Sequence, residues 1–523
     1  MKKTKMKLLS LSLALAMVMM AVAFSGCIEE GEGETLVVGT TDSVATLDPA
    51  DCYDYFSSNV LFNTVETLIS YEPGTTEVTT VLAKDYQVSD DGLVYTFQLE
   101  EGVKFHDGSE MTSSDVKFSL ERARDMGGDP GFLLENIDRV EEVNDYEVKI
   151  HLNEPSTPFL TKLGYTVGAI VSEESYDTDD FKPTEIVGTG PYELEDWQEG
   201  THVKLKEFDD YWGDQPYADD VTVKLYGDSQ ALKNGLETDE IDVAYRTFTP
   251  TEKKDLMDTE GIQTKDVESP EIRYIVINVQ NEPFDDKDVR QAVANALDRQ
   301  EIADDVYDGD VEPLYSMIPN GMWSHESTFK DKYGEGANLE EAKNLLEKAG
   351  YSEDDKMDMT LYYTPSHYGD LEDEFAQVFM DQLEATGMID VELQSNEWGR
   401  YSDDMVDGNM GCFLLGWYPD YFDPDDYISP FLTTSGAQSL GSFYDNETMN
   451  EMIEEEQRLI EQSERTPVFK DIQEQLADDA PYIPVYQGTQ FAAFNEDIDE
   501  ESVILGPVQI FRYYLIKKDG WER

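Results

Sequence analysis

Residues 416–426 read GWYPDYFDPDD. Asp420, Asp423, Asp425 and Asp426 sit among Trp417, Tyr418, Tyr421 and Phe422, directly after the apolar run CFLL (412–415). Acid alone means little in a chain with 113 acidic residues. Acid among rings is different. Rings exclude water and lower the local dielectric, so a carboxylate held among them pairs more sharply with a cation. A charge-assisted hydrogen bond there contributes about 1.5–3 kcal/mol net. The chemistry on offer is recognition of a positive group, with Asp420 as acceptor and Asp423–Asp426 as an ordinary solvated turn.

Other chemistries find less support. No HExxH, GxSxG or D-x-[DN]-x-[DN]-G pattern occurs, so no zinc, serine-nucleophile or EF-hand site stands out. The five histidines, His106, His151, His202, His325 and His367, are scattered, against a preformed metal site. Carboxylate pairs occur everywhere and carry no case for acid–base catalysis. VGTGPY (187–192) has a glycine pattern, but strand-like stretches follow it. A phosphate-binding turn must open a helix. A ligand carboxylate would need a cation, and Arg246, Arg273, Arg400 and Arg512 are candidates in an arginine-poor chain.

The whole chain narrows the class. Lys2, Lys3, Lys5 and Lys7 precede an apolar run from Leu8 to Phe24 and the small residues before Cys27. That reads as an export signal over residues 1–26, with Cys27 as a lipid-modified first residue. The other reading is an uncleaved membrane anchor, since 17 apolar residues can just span a bilayer. Residues 27–34 then form a charged tether. The full chain has a formal charge of −75, or −79 once the four lysines of the signal are removed. Nucleic acid is excluded as a partner by repulsion. Self-repulsion on this scale points to a protein facing brine, where salt screens it. A hydrophobic content of 40% and an aromatic content of 11% still build cores. Cys52 and Cys412 are expected as free thiols. Asn446-Glu447-Thr448 is a lone glycosylation sequon.

The elements that must position these residues are mixed α/β. LVYTFQLE, YEVKIHL and VTVKLY alternate as strands in the first half. MTSSDVKFSLERAR reads as a helix capped by Ser113 or Ser114. RYIVINV (273–279) reads as a buried strand. DDKDVRQAVANALDR and NLEEAKNLLEKAG are amphipathic helices, the second stopping at Gly350. ETMNEMIEEEQRLIEQ reads as one long acidic helix. QGTQFAAFN and QIFRYYLI look strand-like again, so the C-terminus is expected to rejoin the first half. Two chain crossings, near 271–280 and 484–491, would make a hinge under a ligand cleft.

Ordered segments now carry a resemblance. TLDPA (46–50), LVYTFQLEEGVKFHDGSEMTSSDVKFSLERA (93–123), VGTGPYEL (187–194), FDDYWGDQPYADDV (208–221), VRQAVANALDR (289–299), AKNLLEKAGY (342–351) and GWYPDYFDP (416–424) resemble the extracellular solute-binding proteins, family 5. These are the dipeptide-, oligopeptide- and nickel-binding lipoproteins of ABC importers. The resemblance implies an α/β, two-lobed periplasmic-binding-protein type II fold with a central cleft. Residues 35–270 would form lobe I, with an extra subdomain at about 70–185. Residues 271–486 would form lobe II and 487–523 the return. It implies capture of a short peptide, no catalysis and no cofactor. Delivery would be to an ABC permease with its ATPase, from a lipid anchor on the outer face of the membrane. An oligosaccharide or a nickel chelate is the alternative cargo, and an extracellular hydrolase the remote one. By position, Asp420 would take the ligand's α-ammonium. Backbone from Gly416 to Tyr418 would pair with an extended peptide, Trp417 would wall the cleft, and Tyr421 would be among the substrate-binding residues. Arg246, beside Tyr245 in the segment expected to approach the hinge, would meet the carboxylate. Tyr53, Tyr55 and Cys52 would line the facing lobe.

Overall fold

The computed structural model describes residues 34–508 and 510–523. The expected signal, Cys27 and all of the tether but Glu34 lie outside the described residues. The chain enters through β1 (Thr35–Thr40) and makes a small hairpin, β2 (Ile69–Tyr71) and β3 (Val78–Thr80). It then builds an antiparallel sheet from β4 (Ala83–Val88), β5 (Val94–Leu99), β6 (Ile137–Asn144) and β7 (Glu147–Leu152), in the order β4-β5-β7-β6. Strands β8 (Tyr192–Gln198), β9 (His202–Glu207), β10 (Asp220–Leu225) and β11 (Val243–Tyr245) rejoin β1. The long β12 (Ile262–Ile277) crosses to the second half, followed by β13 (Glu312–Pro313), β14 (Met357–Tyr363), β15 (Ile389–Ser395) and β16 (Cys412–Trp417). β17 (Tyr482–Asn495) returns.

One sheet runs through both lobes in the order β15-β14-β16-β12-β17-β11-β1-β10-β9-β8. Its spine is the antiparallel pair β12–β17. The register of that pair shifts between Glu268 and Ile272, opposite Thr489 and Gln487. Apolar side chains collect on either side of this break. One core holds Leu36, Val38, Val223 and Phe494. Another, around the small sheet, holds Phe97, Leu120 and Ile150. The largest holds Ile275, Val293, Leu361, Phe375 and Leu414.

Local chemistry explains the elements. Helix Lys287–Ala296 is capped by Asp286, and helix Leu339–Ala349 by Asn338, with Gly350 at φ 102° ending it. The helix Ser113–Asp125 is capped not by a serine but by Thr112, which exchanges bonds with Asp115 in a capping box. The long acidic stretch is two helices, Glu447–Arg458 and Gln462–Asp479. Asn446 caps the first, and its amide donates to Tyr444 and Asp479, so the sequon's side chain is already engaged. QIFRYYLI is not a strand. Its described residues form a loop and a short 3-10 turn, Tyr513–Leu515, that push Phe511, Tyr513 and Ile516 into the first-lobe core. The glycines of VGTGPY meet protein, not phosphate. A Cβ on Gly188 or Gly190 would lie 2.4 or 2.5 Å from the Thr64 backbone. His106 holds the same loop through the Gly188 N–H and the Gly190 carbonyl.

The lobes touch in several places. The Thr157 N–H donates to the Gln457 carbonyl at 2.8 Å, and its hydroxyl to the Leu459 carbonyl at 2.7 Å. Arg458 pairs with Glu154 at 3.0 Å. The Phe422 N–H reaches the Tyr71 hydroxyl at 3.0 Å.

Candidate functional site

β16 carries Gly416 and Trp417 to the rim where the lobes meet. Gly416 is opposite Arg273 on β12. A Cβ there would lie 2.7 Å from the Tyr368 ring and 2.8 Å from Arg273 Nη1, so the close approach requires glycine. Arg273 is buried, lies 3.8 Å over the Tyr368 ring and pairs with buried Glu372. It braces the strand and is not free for a ligand carboxylate.

After Trp417 the chain turns through Asp420 into a 3-10 turn, Pro424–Tyr427. Here the structure corrects the expectation of a solvated acidic turn. Asp425 and Asp426 are fully buried, and Asp423 is 8% exposed. Asp423 and Asp425 have found partners that lie far away in sequence, and Asp426 is held by donors within the loop. Asp423 accepts two bonds of 2.7 Å from Arg465. Asp425 accepts from Tyr421 at 2.7 Å, Gln457 at 3.0 Å and Ser429, with Lys162 at 3.5 Å. Asp426 accepts from the Trp417 indole at 3.2 Å and from the Asp420 N–H at 3.1 Å. These three acids are the internal brace that shapes the loop. Burial pushes Asp425 up, but Lys162 and the hydroxyl donors outweigh it and hold the carboxyl below the ordinary range.

Asp420 differs from its neighbours. It is partly buried, and its carboxylate accepts one bond, 2.8 Å, from Tyr53 of the other lobe. Burial pushes its pKa up to about 7, against the lowering pull of Tyr53 and Lys162. A carboxylate in that condition gains by meeting a cation. Tyr53 also packs edge-on against Phe132 and Tyr165.

Arg246 lies beside this centre. Its backbone has φ 53°, a strained value for a residue with a side chain, of the kind that concentrates at functional sites. The guanidinium is layered between the Tyr55 ring (4.0 Å) and the Tyr418 ring (4.6 Å). Nη2 donates to the Tyr418 hydroxyl at 2.7 Å. Nη1 is 3.4 Å from Asp42 but has no hydrogen-bond partner. Behind it opens an interlobe cavity of about 110 Å³, lined by Arg246, Phe248, Glu271, Tyr368, Tyr418 and Tyr486 among others.

Asp420 and Tyr53 are therefore brought together, and Arg246, Tyr55 and Tyr418 form a second cluster, joined to the first by the short run of chain from Tyr418 to Asp420. Tyr421 sits across the boundary, 2% exposed among first-lobe residues, with Lys162 5.2 Å over its ring. Three expected cleft residues turn elsewhere. Cys52 is fully buried in the first-lobe core, 3.6 Å from the Ser58 hydroxyl. Tyr245 is fully buried, stacked on Phe511 at 4.3 Å. Trp417 packs into the second-lobe core against Phe431 at 5.0 Å and braces Asp426 instead of walling the cleft. Of the other arginines, Arg512 is held by the Tyr71 carbonyl and Arg400 pairs with Asp404. Glu271, Tyr368 and Lys162 escaped the sequence reading. Glu271 had one signal, an acid at the start of the crossing expected near 271–280, although β12 itself begins at Ile262. The other two had none. No group of metal-ligating side chains occurs among the described residues.

Comparison with known proteins places this geometry. Residues 77–439 match the bacterial extracellular solute-binding proteins, family 5 (middle region). The chain belongs to this family. The family 5 protein is 27% identical over 459 residues to the dipeptide-binding protein of Escherichia coli K12, covering 82% of this chain and 85% of that one. It is 30% identical over 467 residues to the glutathione-binding protein of Salmonella typhi, covering 86% and 88%. Among solved structures, the periplasmic binding protein DppA from Helicobacter pylori, in complex with peptide STSA, superposes with a TM-score of 0.84 at 26% identity. That match covers 94% of this chain and all of the other. The family 5 protein thus has the two-lobed periplasmic-binding fold, binds a solute and serves transport. No helix among its described residues is long and apolar enough to cross a membrane.

Proposed function

We propose that this family 5 protein captures short peptides between its lobes and hands them to an ABC permease. Asp420 receives the peptide's α-ammonium. The observation that carries this is the Asp420 carboxylate itself. It is partly buried, ring-shielded and bonded to one hydroxyl of the facing lobe, while Asp423 and Asp425, which follow, are held by Arg465 and by Tyr421, Gln457, Ser429 and Lys162. Relatives named for dipeptides and glutathione point the same way. The break in the β12–β17 ladder at Glu268–Ile272 serves as the hinge between residues 35–270 with 487–523 and residues 271–486. Arg246 Nη1 is the donor left for the ligand's carboxylate or a carbonyl. Closure is a population shift driven by the ligand's contacts with both lobes. Cys27 anchors the protein by lipid on the outer face of the membrane, in brine.

The test is native mass spectrometry of protein purified without denaturation, followed by calorimetry in 2 M KCl (roughly 3 Å screening or less). The titrants are di- and tripeptides, an oligosaccharide series and a nickel–histidine chelate. Peptides should bind, and the Asp420→Asn variant should bind them at least tenfold more weakly. Retained sugar or chelate with no peptide binding would overturn the reading.

A further inference from the structure

The cavity behind Arg246 has a composition that Asp420 does not explain. It lies between the lobes, and Tyr418, two residues before Asp420, is one of its walls. Its other walls include the rings of Phe248, Tyr307, Tyr368, Tyr486 and Phe491.

The charges are unequal. Two cations line the cavity, Arg246 and Lys253, against three acids, Glu271, Asp310 and Asp370. Each cation has a carboxylate near it. Lys253 pairs with Asp310 at 2.6 Å and Asp266 at 3.8 Å, and Arg246 faces Asp42 at 3.4 Å. The acids are not all answered. Asp370 has the Ser229 hydroxyl at 2.9 Å and no ion pair among the described residues. Glu271 is pushed above its ordinary range by burial, which Arg246, Arg273, a hydrogen bond from Tyr418 and Lys253 only partly offset. With Asp42 and Asp266 counted, the cavity and its immediate backing hold five carboxylates and two cations. The Arg273–Glu372 pair beneath Tyr368 adds nothing net.

The cavity also keeps a polar group in waiting. Arg246 is 9% exposed, and its Nη1 has no hydrogen-bond partner. A buried donor without an acceptor is costly, and a ligand oxygen arriving there relieves it.

We infer that this cavity receives a positively charged side chain of the bound peptide, with Glu271 and Asp370 as its counter-charges and the tyrosine rings as its walls. This rests on the peptide reading of Asp420. The physics is a cation drawn to an excess of negative charge and to ring faces, both stronger where water is excluded. An acidic side chain meets the same groups as repulsion. Selectivity therefore comes from rejection as much as from attraction.

The experiment is calorimetric titration of the whole protein in 2 M KCl with Ala-Ala, Ala-Lys, Lys-Ala and Ala-Glu. It is repeated on Glu271→Gln and Asp370→Asn. In the unmodified protein, one of the lysine peptides should bind at least tenfold more tightly than Ala-Glu. In each variant the lysine-to-glutamate ratio should fall at least threefold. The readout is a ratio within one variant, so a general loss of folded protein does not imitate it. Lysine and glutamate peptides binding within twofold of each other, or an unchanged ratio in both variants, would overturn the cavity assignment and leave the peptide reading standing. Failure of all four peptides to bind would remove both.

Discussion

Tyr53 and Asp420 are 367 positions apart, and a 2.8 Å hydrogen bond joins them across the two lobes. The bond ties the acid proposed as the ammonium anchor to the opposite wall of the cleft. Removing the hydroxyl has a predictable sign. Tyr53 donates to the carboxylate and lowers its pKa. Tyr53→Phe should therefore raise that pKa and weaken peptide binding several-fold at pH 7. Affinity should recover at pH 8, where Asp420 ionises without help. Calorimetry at the two pH values checks it. Asp420→Asn should lose affinity at both.

The pH dependence of the unmodified protein follows from the same carboxyl together with its neighbour Asp426, which burial and the Asp420 charge also push up. The folded pKa of Asp420 is raised to about 7 from 3.8, chiefly by burial. The neutral form is thus favoured below about pH 7 in the ligand-free fold. Its contribution to stability is fully present below the unfolded value and is lost as pH rises through about 7. Peptide binding runs the other way, because the ammonium needs the ionised form. Affinity should climb from pH 5 to 7, then fall above about pH 8 as the peptide's own α-amine loses its proton. Opposite slopes of thermal stability and affinity over that window, both flattened in Asp420→Asn, are the expected signature. Parallel slopes would assign the pH dependence to other groups.

Several strands, the best-capped helices and the loop were legible in the sequence, but not what the loop's acids do. Alternation and caps are local signals, and they placed Val94–Leu99 and Lys287–Ala296 well. The partners of Asp423 and Asp425 are Arg465, Gln457 and Lys162, on other elements, and nothing near the motif announces them. Without visible donors, an aspartate run reads as solvated. The opposite error befell Cys52 and Tyr245. Their position beside Tyr53 and Arg246 suggested the cleft, but a side chain one residue along a strand or turn faces the other way, here into the core. Tyr53 and Cys52 divide in that manner, as do Arg246 and Tyr245.

Arg465 is the keystone of the buried acids. It is 3% exposed, forks onto Asp423 and reaches Glu456 at 2.7 Å. Arg465→Ala leaves two buried carboxylates without a counter-charge. Breaking a buried pair in this way costs about 3–5 kcal/mol. Arg465→Lys keeps the charge but cannot form the two-pronged contact, so it should recover part of the loss. Denaturant titration in high salt should rank the three proteins in that order. Equal stability of all three would mean that the acids take up protons and need no partner.

Gly416 is required by space, not by its dihedral. A methyl at Gly416→Ala would press into the Tyr368 ring and Arg273 Nη1. Neither can easily yield, because Arg273 is buried, stacked on Tyr368 and paired with Glu372. Overpacking of this kind costs about 1–3 kcal/mol. Tyr368 also walls the interlobe cavity. Gly416→Ala should therefore lower the melting temperature and reduce peptide affinity together. A stability loss with affinity intact would show that Tyr368 moves away from the ligand's path.

The formal charge of −75 makes the last prediction one of solvent. Acidic residues outnumber basic ones by 113 to 38, so the described ion pairs occupy only a minority of the acids. Those left face one another across solvent. Their repulsion is long-ranged at roughly 10 Å screening in 0.1 M salt and collapses at roughly 3 Å in 1 M. The buried pairs such as Arg122–Asp48, at 2.6 Å, are screened far less. Salt should thus remove repulsion without dissolving the internal bridges. The melting temperature should rise steadily from 0.1 to 2 M KCl, and NaCl should match it if screening alone is responsible. A flat or falling curve would mean that the surface acids are already neutralised, and the assignment to brine would fail with it.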